Sequence, residues 1–443
     1  MSEWKVVPLR DVADIRVSNV DKKTFHWEQP VRLCNYMDVY SNEYVRSDLP
    51  FMDATATAAE IQRFGVAKGD VLITKDSETP DDIGIPAVVT DEISNLVCGY
   101  HLAQIRPSQS IVEPVYLAKQ LSLAESAIYF AQRATGSTRY GLSNRTLAEA
   151  PIRLAPLQQQ KRIAAILTSL DNAIEATEAL IEKYQQIKAG LMHDLFVQGV
   201  GEDGKLRTSA STAPELYRET PIGPIPKTWE LARLPSKARP GTKWIRTGPF
   251  GSSLKGEHWV TEGHPVITIG SLGEGQFLES ELLFVGPRDA TRLIDFQLVP
   301  GDVVFSRVAD VGRSVVIRDE NVNWIMSSNL MRISLDSNRV RPDYLQMSLA
   351  GDSRIKSQIR AKVNSGGREV ANSEILSQLL FAWPPADEQD RIVGLAMLAL
   401  AEVRALQAQA VKLRAQKQGL MQDLLTGKVP VKFPDAGPEP AIA

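Results

Sequence analysis

Covalent chemistry needs particular side chains at particular spacings, and this chain offers few of them. Its five histidines never cluster at metal-ligand spacing, and no HExxH or GxSxG sequence occurs. No Walker A sequence provides a phosphate cradle for ATP hydrolysis. The glycine-rich GSLGEGQF (Gly270 to Phe277) is not GxGxxG, opens no clear helix and reads as a turn. WPPA (Trp383 to Ala386) does not supply the side chains that transfer of a methyl group to a base amine needs. Trp383 cannot accept a hydrogen bond from that amine, and Ala386 cannot stack on a flipped base. WPPADEQ reads better as a strand end followed by a helix start. No carboxylate-and-lysine nuclease set is visible. The sequence predicts a chain that catalyses nothing and binds no metal or cofactor of its own.

Composition narrows the class. With 443 residues, 43% hydrophobic and 23% charged, the chain fits a globular protein of roughly two to four domains. No apolar run of about 18 residues stands out, which predicts no membrane span. The start MSEWKVVPLRDVADI lacks the apolar core of an export signal. Cys34 and Cys98 are isolated thiols, which suits a reducing cytoplasm and neither a disulfide framework nor a zinc site. The net charge of −3 excludes a wholly basic coat for nucleic acid. Residues 1–155 hold 16 basic and 20 acidic side chains, and residues 201–384 hold 23 and 21. Any nucleic-acid surface must therefore come from sorting charges onto one face.

The elements that would position such a surface are written twice. KAGLMHDLF from Lys188 returns as KQGLMQDLL from Lys417, 229 positions later. At the same offset Pro156 pairs with Pro385, Gln160 with Gln389, Arg162 with Arg391, Ile163 with Ile392 and Lys183 with Lys412. Ile163, Leu167, Leu170, Ile174, Thr177, Ile181, Tyr184, Lys188, Leu191 and Leu195 advance by alternating steps of four and three, the seam of a coiled coil. The second copy reads Ile392, Ala396, Ala399, Val403, Leu406, Ala410, Leu413, Lys417, Leu420 and Leu424. Pro156 and Pro385 suit helix starts, while Gly199 and Gly427 suit helix stops. Each helix would run about 40 residues, or roughly 60 Å. A single apolar stripe of that length needs a partner, and the nearest is its own copy. Parallel packing would bring Lys188 against Lys417, so antiparallel packing is expected.

The segments before the helices repeat as well. GDVLITK (Gly69 to Lys75) answers GDVVFSR (Gly301 to Arg307), and DIGIPAVV (Asp82 to Val89) answers DVGRSVVI (Asp310 to Ile317). GSTRYGLSNRTL lies at offset 229 from SGGREVANSEIL, pairing Arg139 with Arg368. Short β-branched runs broken by Gly, Pro and Asn predict twisted, mostly antiparallel strands with a few helices, an α+β fold. The expected organisation is a strand-rich module over 1–155, a long helix over 156–198 and a linker over 199–228. A second module over 229–384, a second long helix over 385–427 and a disordered tail over 428–443 follow.

On these motifs the chain resembles the specificity subunit of a type I restriction-modification system. The strongest elements are APLQQQKRIAAIL with KAGLMHDLF and PPADEQDRIVGLA with KQGLMQDLL, supported by PIPKTWELARL, GPFGSSLK and the paired GDV strands. The resemblance implies two target recognition domains, each reading half of a split asymmetric sequence in double-stranded DNA. It implies two long helices that space them and dock two methyltransferase subunits, with restriction/translocase subunits completing a host-defence assembly. S-adenosylmethionine, ATP and Mg would belong to those partners. Half-sites read from one face of DNA lie about 34 Å or a multiple apart, a span that helices of roughly 60 Å can bridge. Two rivals stand beside this reading: a coiled-coil adaptor that never binds DNA, and the recognition part of a single-chain restriction-methyltransferase.

Under the resemblance, candidate DNA contacts follow from side-chain chemistry, because Arg reads guanine, Asn and Gln read adenine, and Lys and Ser hold phosphates. In the second module they are Ser252, Ser253, Lys255, Arg307, Arg313, Asn364 and Arg368. In the first they are Lys22, Lys23, Lys75, Arg139, Tyr140, Asn144 and Arg145. The first module has no GPFGS counterpart; VSNVDKKTFHW occupies that region. The acids of DSETPDD (Asp76 to Asp82) are expected on an outer loop, away from the DNA.

Overall fold

The computed structural model describes residues 4–273, 275–308, 312–363 and 371–431. The side chains of Ser252 and Val363, the candidates Asn364 and Arg368, and tail residues 432–443 lie outside that set. The fold divides into two units, residues 1–179 with 408–443 and residues 180–407. Both are α+β, as expected.

In the first unit a five-stranded sheet runs in the order Ala13–Val17, Leu102–Pro107, Val71–Thr74, Pro86–Val89, Tyr44–Val45. All its pairings are antiparallel except the last. A three-stranded sheet (Met52–Ala56, Gln29–Cys34, Leu96–Cys98) and the pairs Lys5–Pro8 with Pro151–Leu154 and Asp76–Ser77 with Tyr140–Gly141 make up the unit's other strands. The second unit repeats the main theme with Ile245–Thr247, Leu330–Ile333, Val303–Ser306 and Ser314–Val316, all antiparallel. Its pair Glu230–Arg233 with Leu380–Trp383 answers the pair in the first unit.

The repeated Gly-Asp-Val has a local cause. Gly69 and Gly301 take φ of +90° and +84°, a region closed to most side chains, and turn the chain into a fully buried strand. The following aspartate closes the turn: Ala67 N–H donates to Asp70 Oδ2 at 2.8 Å and Val299 N–H to Asp302 Oδ2 at 3.2 Å. Burial pushes the Asp302 carboxyl up, against its bonds from Ser334 and Val299 and the charges of Arg332 and Arg239. The module helices come in consecutive pairs: Pro114–Leu121 then Ala124–Ala131, and Pro342–Gly351 then Ser353–Val363.

The long helices are Leu157–Val197 and Ala386–Leu425, 41 and 40 residues. They pack antiparallel within each unit. In the first, Ile163 and Leu167 share a core with Leu424 and Leu425, Asp171 meets Lys417, and Glu178 meets Arg414. In the second, Leu195 and Phe196 share a core with Ile392 and Ala396. Each helix start is fixed by the repeated glutamine, fully buried in both copies. Gln160 accepts from Glu113 N–H (2.9 Å) and donates to the carbonyls of Ala155 (2.7 Å) and Ile111 (3.1 Å). Gln389 accepts from Arg341 N–H (2.8 Å) and donates to Pro384 (2.8 Å) and Arg339 (3.0 Å).

By length and apolarity alone the second long helix could cross a membrane, with an 18-residue window of mean hydropathy 1.3. The stretch escaped notice because its apolarity is largely alanine, broken by Glu402 and Arg404. Residues 199–228, read as a linker, are folded: Tyr217–Arg218 pairs with Ile225–Pro226, and Val200 and Ile225 are core residues. Val431 packs against the core of the first unit.

Candidate nucleic-acid interface

The antiparallel order brings four chain segments to one end of the main sheet in each unit. In the second unit these are the loop after Thr247, the approach to Leu330, the residue after Ser306 and the approach to Ser314. Gly248 N–H donates to Leu330 O (2.9 Å), Arg307 N–H to Asn329 O (3.2 Å) and Ala371 N–H to Arg307 O (2.8 Å). The first unit makes the same three bonds: Ser18 N–H to Leu102 O (3.2 Å), Lys75 N–H to His101 O (3.1 Å) and Leu142 N–H to Lys75 O (2.8 Å). Lys75 and Arg307 are thus one position in two frames.

The candidates distribute unevenly over these frames. Lys22 and Lys23 lie exposed in the loop after Val17; Ser253 and Lys255 lie in the loop after Thr247. Arg313, beside Ser314, donates to Leu272 O at 3.0 Å. Arg307 is half-buried, and its Nε has no hydrogen-bond partner among the described residues. Tyr140 joins Lys75 because Tyr140–Gly141 pairs with Asp76–Ser77. Arg139 is exposed just before that strand. Asn144 and Arg145 open the helix Asn144–Ala148, which packs against Leu9–Asp11 and Ala13–Val17; Arg145 pairs with Glu149 at 3.1 Å.

The seam positions are withdrawn from solvent to differing degrees. Ile163, Leu167, Leu195, Ile392, Ala396, Val403, Ala410 and Leu424 are buried. Leu170, Ile174, Ile181, Tyr184, Leu191, Leu406, Leu413 and Leu420 are half-buried.

Asp76 is the main departure from the sequence reading. It does not ride an outer loop. Its carboxylate lies 3.1 Å from Lys75 Nζ and 2.9 Å from His101 Nδ1. The run DSETPDD looks like one solvated loop, yet its first two residues form a strand. Sequence reasoning also missed His101 and Asn329. Each precedes a sheet strand, and aligning GYHL with SSNL through the strands they open would have found them. Among the described residues no three His, Cys, Asp or Glu side chains gather as a metal site. Cys34 and Cys98 are buried and free, and burial pushes both thiols up.

Comparison with known proteins gives a consistent set of similarities. Residues 1–186 match the family model described as type I restriction modification DNA specificity domain. Two relatives from Methanocaldococcus jannaschii span nearly the whole chain. One, named for the specificity subunit of the type I restriction enzyme MjaX, is 25% identical over 439 residues, 97% of this chain and 94% of its own. The MjaVIII specificity subunit is 21% identical over 440 residues, with the same shares. The crystal structure of a type I restriction-modification S subunit from M. genitalium has the same fold, with a TM-score of 0.57 at 13% identity over 97% of both chains.

Proposed function

The chain matches the type I restriction-modification specificity-subunit family in family model, in sequence and in fold, and on that footing we propose that it reads a split, asymmetric DNA target. Each strand-rich unit reads one half through the sheet end that carries Lys75 or Arg307. The paired long helices hold the two halves apart and dock two methyltransferase subunits, which bring S-adenosylmethionine. Restriction/translocase subunits with ATP and Mg complete the assembly, in the cytoplasm where the target DNA lies.

The observation that carries this reading is the duplicated backbone frame. The same three hydrogen bonds set a basic residue at the same sheet end in both units, while the side chains around it differ. Equivalent frames with different residues are what two half-sites of different sequence require. Phosphate contacts from Lys22, Lys23 and Lys255 would fix register, and Lys75, Arg307 and Arg313 would approach bases or their phosphates. The test is genome-wide mapping of methylated adenine in the native host with and without this gene. Loss of one split motif on deletion is expected; an unchanged methylome overturns the reading.

A further inference from the structure

The two candidate interfaces share a feature that their sequences do not. The loops that follow Val17 and Thr247, residues 18–28 and 248–258, leave equivalent strands, yet KKTFHW and GPFGSSLK have nothing in common to align. Each lifts an aromatic ring into solvent. Trp27 is 67% exposed and stacks on Phe25, with ring centroids 4.8 Å apart and planes 23° from parallel. Phe250 is 87% exposed, the most exposed large hydrophobic side chain among the described residues.

Neither ring sits on a loose backbone. Phe25 N–H donates to Thr55 Oγ1 at 2.9 Å, and the Thr55 hydroxyl donates to Glu28 at 2.6 Å. Around Phe250, Ser253 N–H donates to Phe250 O at 2.8 Å, and Arg292 donates to Ser253 O at 2.8 Å. Gly248 lies so close to the segment before Leu330 that a Cβ there would stand 1.9 Å from Ser327 O. The loop is pressed onto the sheet end and the ring is turned out.

A large ring held in water beside exposed lysines suits a ligand with a flat apolar face and a negative rim. Lys22 and Lys23 lie in the same exposed run as Trp27, and exposed Lys255 follows Phe250. Nucleobases offer such faces, and phosphates form the rim. We propose that Trp27 and Phe250 are equivalent aromatic probes, each stacking on a base and partly opening one base step in the half-site its unit reads. This rests on the DNA-reading function proposed above. Base–aromatic stacking tolerates any base, and apolar wedges open base steps in other duplex complexes. The lysines of the same loops then hold the backbone beside the opened step.

The experiment uses the assembled complex with its methyltransferase partners and a duplex carrying the target found by methylation mapping. The probe is 2-aminopurine, placed in turn at each half-site base other than the methylated adenine. The wild type should brighten it at one position in each half-site. Trp27→Ala should abolish the rise in one half-site and Phe250→Ala in the other, each weakening binding about 5- to 150-fold. Trp27→Phe and Phe250→Trp should keep it. The exposed rings leave the cores unchanged, which unfolding midpoints equal to wild type would verify. Tight specific binding with no rise at any position, or a rise surviving both alanine changes, overturns the proposal. Absence of any sequence-specific binding by the wild-type complex overturns the DNA-reading function instead.

Discussion

The Lys119 ammonium lies 2.6 Å from the Asp171 carboxylate, and the two side chains are only 4% and 8% exposed. Lys119 belongs to the module helix Pro114–Leu121 and Asp171 to the first long helix, so the pair ties one to the other. Lys417, on the second long helix, reaches the same carboxylate at 2.7 Å, and both lysines contact Glu43. The Tyr44 hydroxyl donates to Asp171 as well. Two cations and two carboxylates thus meet where both helices join the module. The second unit has no such cluster at the repeat positions: Lys119 and Asp171 correspond to Met347 and Leu400, which belong to an apolar core.

The repeat itself therefore suggests the substitution that tests this cluster. Lys119→Met alone leaves Asp171 with Lys417 and Tyr44 but without its nearest cation, and should cost about 3 kcal/mol, the lower end for a broken buried pair. Lys119→Met with Asp171→Leu imitates the second unit and should recover most of that loss. Urea unfolding of the full chain measures both. A double variant no better than the single would mean that packing, not charge, holds this contact.

Acid should loosen the first unit before the second. Burial opposes ionisation of Asp171, but the hydrogen bond and charge of Lys119, with Lys417 and Tyr44, outweigh it and hold the carboxyl below the usual range. Burial likewise opposes ionisation of Glu43, and the same two lysines outweigh it. A depressed folded-state value gives stability that is complete above the unfolded carboxylate range and lost as pH falls through the folded values. The loss should therefore fall below about pH 4. Asp171→Asn should flatten that part of the stability profile. Hydrogen exchange at Leu167 to Asn172, followed from pH 5 to pH 3, reads it directly; equal protection at both ends would refute it.

The helices were legible because periodicity is a statistical signal spread over many residues: ten seam positions in each copy outvote any single Lys188 or Thr177. The Gly-Asp-Val strands were legible because the same three residues open a β-branched run in both copies; the turn at each glycine was not read. What escaped was set by single side chains meeting across long separations. Lys119 and Asp171 carry no pattern that links them, and Lys417 could be read only as a charge to keep from Lys188. Asp76 was misplaced because composition describes a run, whereas two residues of that run pair with Tyr140–Gly141. The equivalence of residues 18–28 and 248–258 lies in which strands precede them, and no residue-by-residue match could disclose it.

Equivalent positions should fail in equivalent ways. Lys75→Ala and Arg307→Ala should each weaken DNA binding by the assembled complex, one half-site apiece. A phosphate contact shows as a uniform loss across sequences, with the salt slope reduced by about one; a base contact costs about 1–3 kcal/mol and relaxes a single position. Asp76→Asn removes a carboxylate that competes for Lys75, and should tighten binding unless Asp76 accepts from a cytosine amine. In that case the half-site loses its preference at one base. Titrations at several salt concentrations against single-base variants of the target separate these cases, and unaltered binding by both alanine variants would remove this sheet end from the interface.

The long helices make a prediction about distance. Seven residues is nearly two helical turns, so deleting one heptad keeps the seam in phase. Because the helices run antiparallel, matched deletions of residues 177–183 and 406–412 remove facing segments and leave the remaining partners opposed. The loss in length is about 10 Å at 1.5 Å per residue, roughly three base pairs at 3.4 Å. If the helices set the spacing, the methylated motif should shrink by about that many unread bases. Alternatively, methylation should cease, because three base pairs also turn one half-site about a third of the way around the duplex. Methylation mapping in cells carrying the shortened chain distinguishes the two. A motif with its original gap would show that the helices hold the partners without measuring the DNA.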